Sequence, residues 1–512
     1  TEEEKDRIIN ETIQNSQTRN ENYSINFSNI SKRNSQSKLM RYTLDNTTIN
    51  YNYTQGFSRS PEIEFQENWN FNSAIRYNLT FRNVKLFRPF NFTRNVPIAK
   101  ALAGLQLGYM PSSITTSATL NRSYDEKRRR ARENNEGMLI EQPLQQTHIF
   151  NHGTNLGINY NLTQSITTSF QSATTYDLSL AGVEPLNQSG IDSAAFRPIP
   201  TFNVVKDVIS DSLRARRTNY RENYNANWRP RFNRIKALNW FSYSASYSGG
   251  YQWVNSPRGS DLGANISNNF RLDHTMKLDM GDLLERTSIY KNLIEGDRRA
   301  SQERSREKAR RKAARERARQ QEEEGTDEEA AENQDTEEIE TTSPDLFKEV
   351  GYFSRKLLLA ALSFRSIDIS YRTNNTSSQA GYSGDSQFYR AFNSSSSESF
   401  SPALGYRLGL FDQIDRKQLI SNPSSTSVLQ LPANKSTSDN LNFGTTLNPF
   451  PNVSIDLDWI ARWDERRSEN ITLETNNDIN AVVSRSGNVN SSVWAFGPGY
   501  RNLFERQLRT AF

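Results

Sequence analysis

The chain has 512 residues, of which 34% are hydrophobic and 11% aromatic, with no cysteine, three histidines and a formal charge of +5. No run of 18 apolar residues occurs, so helical membrane spans are excluded, whereas spanning strands, which are apolar on one face only, are not. The lack of cysteine removes disulfide scaffolds, thiol catalysis and thiolate metal sites, and 63 Lys and Arg against 58 Asp and Glu balance too evenly to argue for nucleic acid. Thr1-Glu2-Glu3-Glu4 shows neither the basic nor the apolar part of a signal peptide. The expectation is a mature chain or an excised piece of a longer one.

Period-two alternation runs through most of the sequence. Tyr23, Ile25 and Phe27 alternate with Ser and Asn, and Ile49, Tyr51 and Tyr53 do the same. The clearest stretch is Trp69 to Phe81. Trp69, Phe71, Ile75, Tyr77, Leu79 and Phe81 share one parity; Asn70, Asn72, Arg76, Asn78 and Arg82 belong to the other. Alternate side chains of a strand point to opposite sides, so this segment has one apolar and one wet face. In a soluble sheet the first set would fill a core. In a membrane barrel it would face lipid and the second set a water-filled lumen. The two arginines between apolar neighbours favour the lumen.

Further along, Leu156, Ile158, Tyr160 and Leu162 lead into a turn at Thr163-Gln164-Ser165, and Ile166, Thr168 and Phe170 begin the return. Tyr220, Tyr224 and Trp228 alternate, as do aromatic residues from Trp240 to Trp253. Ile367-Ile369-Tyr371, Leu441-Phe443 and Val453-Ile455-Leu457-Trp459 close the series. Strands at this spacing, rich in Asn, Ser and Thr, predict an antiparallel meander. Long loops are expected at Gly182–Pro200 and Asn374–Asn440, with short connections elsewhere. Such inequality fits an outer-membrane barrel with short turns on one side, and also a large soluble β-protein.

One segment differs in kind. Arg298 to Arg319 holds eleven basic and three acidic residues, and Gln320 to Glu340 holds eleven acidic and no basic ones. The basic half favours helix without an apolar stripe, and the acidic half reads as disordered. A solvated insertion is preferred to a nucleic-acid or anionic-lipid site, because the acidic block competes for the same cations. Ser343-Pro344-Asp345 signals a helix start. The run Leu357 to Leu362 is expected to open the next strand. The expected organisation is therefore residues 1–297 and 344–512 as sheet, flanking a charged low-complexity insertion at 298–343.

Catalytic patterns are missing. His148 and His152 share a strand face but have no carboxylate nearby in sequence, and no nucleophile elbow, phosphate loop or HExxH motif appears. Gly497-Pro498-Gly499 is a turn signal. The chain is read as a non-enzyme with no catalytic residue, cofactor or metal.

Several blocks, in order, carry a resemblance. They are Pro111 to Glu126; Gly157 to Ile166 with Glu184-Pro185 after it; Arg217 to Tyr220 followed by Asn239 to Trp253; Leu447 to Leu457, with its Leu-x-Pro-Phe-Pro opening; and Leu508 to Phe512. Together the chain resembles the SprA/Sov family, the outer-membrane translocon of the bacterial type IX secretion system, associated with gliding motility. The blocks are strand patterns whose collinear order carries the likeness over nearly the whole chain, and the charged insertion departs from it. The resemblance implies an all-β fold: a segment of a very large transmembrane antiparallel β-barrel, with about 14–18 of its strands in a stretch of this length. It implies a wide pore for folded, secreted protein cargo, outer-membrane lipid around it, and a PorV-type shuttle barrel and a plug protein as partners, with no nucleic acid. A self-contained porin or transporter barrel, and a β-rich surface adhesin, are the alternatives.

Overall fold

The computed structural model describes residues 1–81, 86–88, 106–133, 137–186, 192, 194–210, 215–232, 238–260, 262–323, 346–384, 386, 401–414, 418–420, 429–450, 453–473 and 479–491. Arg82, Ser343-Pro344-Asp345, Gly497-Pro498-Gly499, the acidic residues 324–340 and the block Leu508 to Phe512 lie outside these.

Thirteen strands form one sheet in chain order. They are β1 (Arg19–Ile30), β2 (Thr47–Arg59), β3 (Ile63–Thr80), β4 (Ser113–Arg129), β5 (Gln145–Asn161), β6 (Ile166–Asp177), β7 (Arg216–Trp228), β8 (Phe241–Val254), β9 (Ala264–Asp279), β10 (Phe364–Tyr382), β11 (Leu429–Phe450), β12 (Val453–Leu473) and β13 (Ile479–Ser491). Every neighbouring pair is antiparallel, so the expected meander is present. The Thr163–Ser165 turn joins β5 to β6 as expected. Among the described residues β1 and β13 are the two edges, and no pairing closes the sheet.

Register carries the alternation across strands. Leu79, Ile114, Ile158, Phe170 and Tyr224 stand in one cross-strand row of one face. The adjacent row on the other face runs Asn78, Thr115, Gly157, Gln171, Asn223, Gly250, Asn269, Thr376, Ser436, Arg466 and Ser486. That row crosses eleven strands without one apolar side chain larger than glycine. A one-residue slip in any pair would exchange the two faces, so a pattern kept over this many strands fixes the register.

Long connections leave from both ends of the strands. At one end they are residues 130–144, 178–215 and 383–428; at the other, 31–46, 81–112 and 280–363. Long connections therefore stand on both sides of the sheet, not on one. The second loop is also shorter than expected. Asn374 to Tyr382 belong to β10 and Leu429 to Asn440 to β11, because the backbone ladder continues there between residues that are mostly polar on both strands.

Helix α1 (Glu2–Ser16) precedes β1, and α2 (Thr201–Ser210), α3 (Ser288–Glu323) and α4 (Leu346–Ala361) lie in the connections. The charged segment forms α3, 36 residues long, which begins ten residues before the expected insertion. The run from Leu357 ends α4 instead of opening β10, which starts at Phe364. Leucine and alanine are strong helix formers, and the run lacks the polar alternation of a half-buried strand. Arg355 Nη1 donates to the Gly296 carbonyl at 2.9 Å, and Lys356 Nζ meets Asp297 Oδ2 at 2.8 Å, so α4 packs back on α3.

Candidate functional site

Two surfaces of the sheet and two docked loops make up the candidate site. The apolar face is divided along the strands. In the half next to the 162–165 turn it is a band of aromatic and aliphatic side chains. On β9 this band runs from Phe270 to Leu278, through Leu272 and Met276, a span comparable to the roughly 9–11 residues of a tilted membrane-crossing strand. No second layer of the described residues covers it. Ile75 is 48% exposed, Trp228 44% and Ile455 44%, and on the edge strand β1 Phe27 reaches 55%. Polar groups within the band find partners: His274 Nδ1 is 2.6 Å from the Tyr243 hydroxyl and its ring stacks on Tyr371, whose hydroxyl donates to Asp439 Oδ1 at 2.9 Å.

In the other half the same face turns polar and is covered. Glu222 on β7 and Arg407, in the short helix Leu404–Arg407, are fully buried and form an ion pair, with Arg407 Nε donating to Glu222 Oε2 at 2.7 Å. Tyr224 adds a hydrogen bond to Glu222 Oε2 at 2.9 Å, and Tyr220 hydrogen-bonds Oε1. Asn268 Nδ2 donates to the carbonyls of Tyr406 and Phe411, both at 2.7 Å, and Ser377 Oγ donates to Asn268 Oδ1 at 2.6 Å. Trp253 Nε1 reaches the Gly384 carbonyl at 2.9 Å. Tyr220, Tyr251, Trp253, Ile266, Tyr382 and Tyr406 pack into the largest buried cluster around this junction. A buried ion pair is tolerated where further hydrogen bonds satisfy the remaining oxygens and protons, as here.

Two glycines permit the close approach. A Cβ on Gly249 would stand 2.8 Å from the Leu408 carbonyl oxygen. Gly409 has φ +73°, and a Cβ there would lie 2.5 Å from the Asn269 carbonyl oxygen. Only glycine meets both demands at Gly409 without strain.

The second dock holds the 178–204 loop. Arg122 on β4 is 2% exposed, and its guanidinium lies over the rings of Trp69 at 5.2 Å and Phe150 at 4.9 Å. It donates to His148 Nε2 (3.0 Å), Thr201 Oγ1 (2.9 Å) and the Gly182 carbonyl (2.8 Å). His148 Nδ1 is 3.1 Å from the Ser179 carbonyl. Phe150, Leu178 and Val204 fill the space beneath.

The opposite face is predominantly polar, with Ile149, Val254, Ile460 and Val482 as isolated apolar residues, and curls inward over β7 to β13. A cavity of about 600 Å³ is lined by Arg221, Gln252, Asn269, Thr376, Arg466 and Ser484, among others. A second, of about 260 Å³, lies beside Asp273 and Arg372, between Asn227 and Asn442. Asp273 pairs with both Arg271, at 2.8 Å, and Arg372.

The sequence-predicted positions divide accordingly. Phe71, Ile75, Tyr77 and Leu79 stand on the apolar face, with Phe81 just past the strand; Asn70, Asn72, Arg76 and Asn78 are on the polar one. Trp69 shares the apolar face but lies in its covered half, against Arg122 and 5.9 Å from Tyr124. His148 and His152 share a face yet serve different contacts: His152 Nδ1 is 3.1 Å from the Thr119 carbonyl and its ring stacks on Tyr176. Among the described residues no group of three or more His, Asp or Glu is placed to hold a metal. Sequence reasoning missed Glu222 and Arg122. The signal was available: each is a charge on the aromatic parity. Neither a scan against protein-family models nor a search of curated proteins finds a match for this chain.

Proposed function

We propose that this chain forms part of the wall of a wide outer-membrane β-barrel that conducts folded protein, a translocon of the type IX secretion kind. The observation that carries the reading is the two-faced sheet, apolar in an uncovered band on one side and polar over eleven strands on the other. An uncovered aromatic band of this extent is costly in water and is satisfied by lipid. The polar face, lined by amides, hydroxyls and arginines, suits a hydrated lumen. Antiparallel pairing joins every strand to its neighbours along the sheet, the arrangement that lets strands cross hydrocarbon.

The open edges favour a wall completed by further strands over a self-contained barrel, in which β13 would return to β1. The docked loops thicken one end of the wall. The collinear strand blocks supply the type IX assignment, and with it a plug protein and a PorV-type shuttle as partners. The chain's role is passive: it lines the path and performs no chemistry. An antibody against residues 381–440, used on purified outer membrane, tests the reading. A native chain several times 58.7 kDa is expected. A complete chain near 58.7 kDa would contradict it and favour a separate porin, and recovery without detergent would favour a soluble adhesin.

A further inference from the structure

The larger cavity on the polar face has a charge character of its own. Arg221 on β7 and Arg466 on β12 project from the polar parity into the same space, although four strands lie between them. The curl of the sheet brings them together. Arg221 uses Nε on Asn223 Oδ1 at 3.3 Å, and among the described residues neither arginine has a carboxylate partner. The polar-parity side chains between them are Ser, Thr, Asn and Gln. Elsewhere on this face Arg271 and Arg372 share Asp273, and Lys277 meets Asp368 at 3.7 Å, whereas Arg76 and Arg462 stand singly outside the cavity. Lys435 and Arg467 also border the cavity, but they point to the other face and pair with Asp412 and Glu469. Within the trough, Arg221 and Arg466 are thus two converging cations with no carboxylate between them.

We infer that this trough binds an extended acidic peptide segment, with Arg221 and Arg466 each receiving a carboxylate. A volume of about 600 Å³ lies within the roughly 300–1,000 Å³ of ligand clefts. A guanidinium presents paired N–H donors that match a carboxylate in a bidentate fork. The Asn and Gln amides and Ser and Thr hydroxyls around them offer both donors and acceptors to a peptide backbone. The polar-parity lining has no aromatic ring on which a sugar could stack, so a peptide fits better than a glycan. The inference rests on reading the polar face as the hydrated side of the wall, where a passing polypeptide would meet it.

The test uses the full-length protein in detergent. Fluorescence anisotropy compares a short labelled peptide of alternating Asp and Ser with its Asn–Ser and Lys–Ser counterparts. The acidic peptide is expected to bind, with affinity falling as salt rises. R221Q and R466Q are each expected to weaken it about tenfold. The charge-reversed double variant R221E/R466E is expected to prefer the basic peptide, an exchange that misfolding cannot imitate. Equal binding of acidic and neutral peptides, or an unchanged preference in the charge-reversed variant, would overturn the inference. The measurement needs no bilayer, so its failure leaves the membrane reading standing. An inverted lipid and water accessibility of the two faces would remove both.

Discussion

Glu222 occupies a position where the alternation calls for an apolar side chain, and its carboxylate is paid for by a partner 185 residues away. Replacing Glu222 by Ala leaves the Arg407 guanidinium buried and uncompensated, which costs about 3–5 kcal/mol. The double variant E222L/R407M removes both charges and is expected to recover much of that loss. Denaturant unfolding, with hydrogen exchange across residues 401–411, measures the difference; equal losses in the single and double variants would contradict the pairing. Gly409→Ala is expected to undock the same loop through its positive φ and the Asn269 carbonyl, without altering the sheet. At Asp412, burial alone would raise the carboxyl, but the Lys435 ammonium 2.7 Å away outweighs it and holds the group below the usual carboxylate range. A depressed carboxylate stabilises fully above the ordinary value of about 4 and loses that contribution as pH falls through its depressed one. Proteolysis of the 401–414 loop should therefore accelerate below about pH 4, and Asp412→Asn should remove the Asp412 part of that dependence.

At the scale of elements, the strands were legible because each carries its own face in its alternation. Trp69 to Phe81 shows this without any reference to β2 or β4, and the turn at Thr163–Ser165 marks a hairpin locally. The docks were not legible. Arg122 meets Thr201 79 residues away, and nothing near either residue names the other. Helix α4 was read partly as strand because its last turn is a continuous apolar run, which periodicity alone cannot assign. Loop limits erred where polar strand residues, such as Asn374 and Asn375, look like loop. The two-faced strand makes a direct prediction. Leu79→Arg should cost about 2–4 kcal/mol if the position lies at mid-bilayer depth, and Asn78→Arg much less. Refolding into lipid vesicles over a denaturant series would report both, and equal costs would contradict the facing of β3.

At the scale of the whole molecule, the sheet is a wall with two unlike surfaces. Its apolar band has no covering layer among the described residues, its polar surface curls around two cavities, and its loops fold over the part of the apolar face beyond the band. Among the described residues β1 and β13 are open edges, and an unpaired strand edge is prone to pairing. Helix α3, 36 residues and about 54 Å long at 1.5 Å per residue, projects its charge from the end nearest the band. The absence of cysteine makes the central claim directly measurable, because single cysteines can be introduced one at a time. A nitroxide placed in turn at each residue from Phe71 to Thr80, in the protein reconstituted into lipid, would be scored for collision with oxygen and with a water-soluble nickel chelate. The two-faced wall predicts opposed period-two profiles, with oxygen highest at Phe71, Ile75, Tyr77 and Leu79 and nickel highest at Asn72, Arg76 and Asn78. Profiles that rise and fall together, or show no alternation, would contradict it.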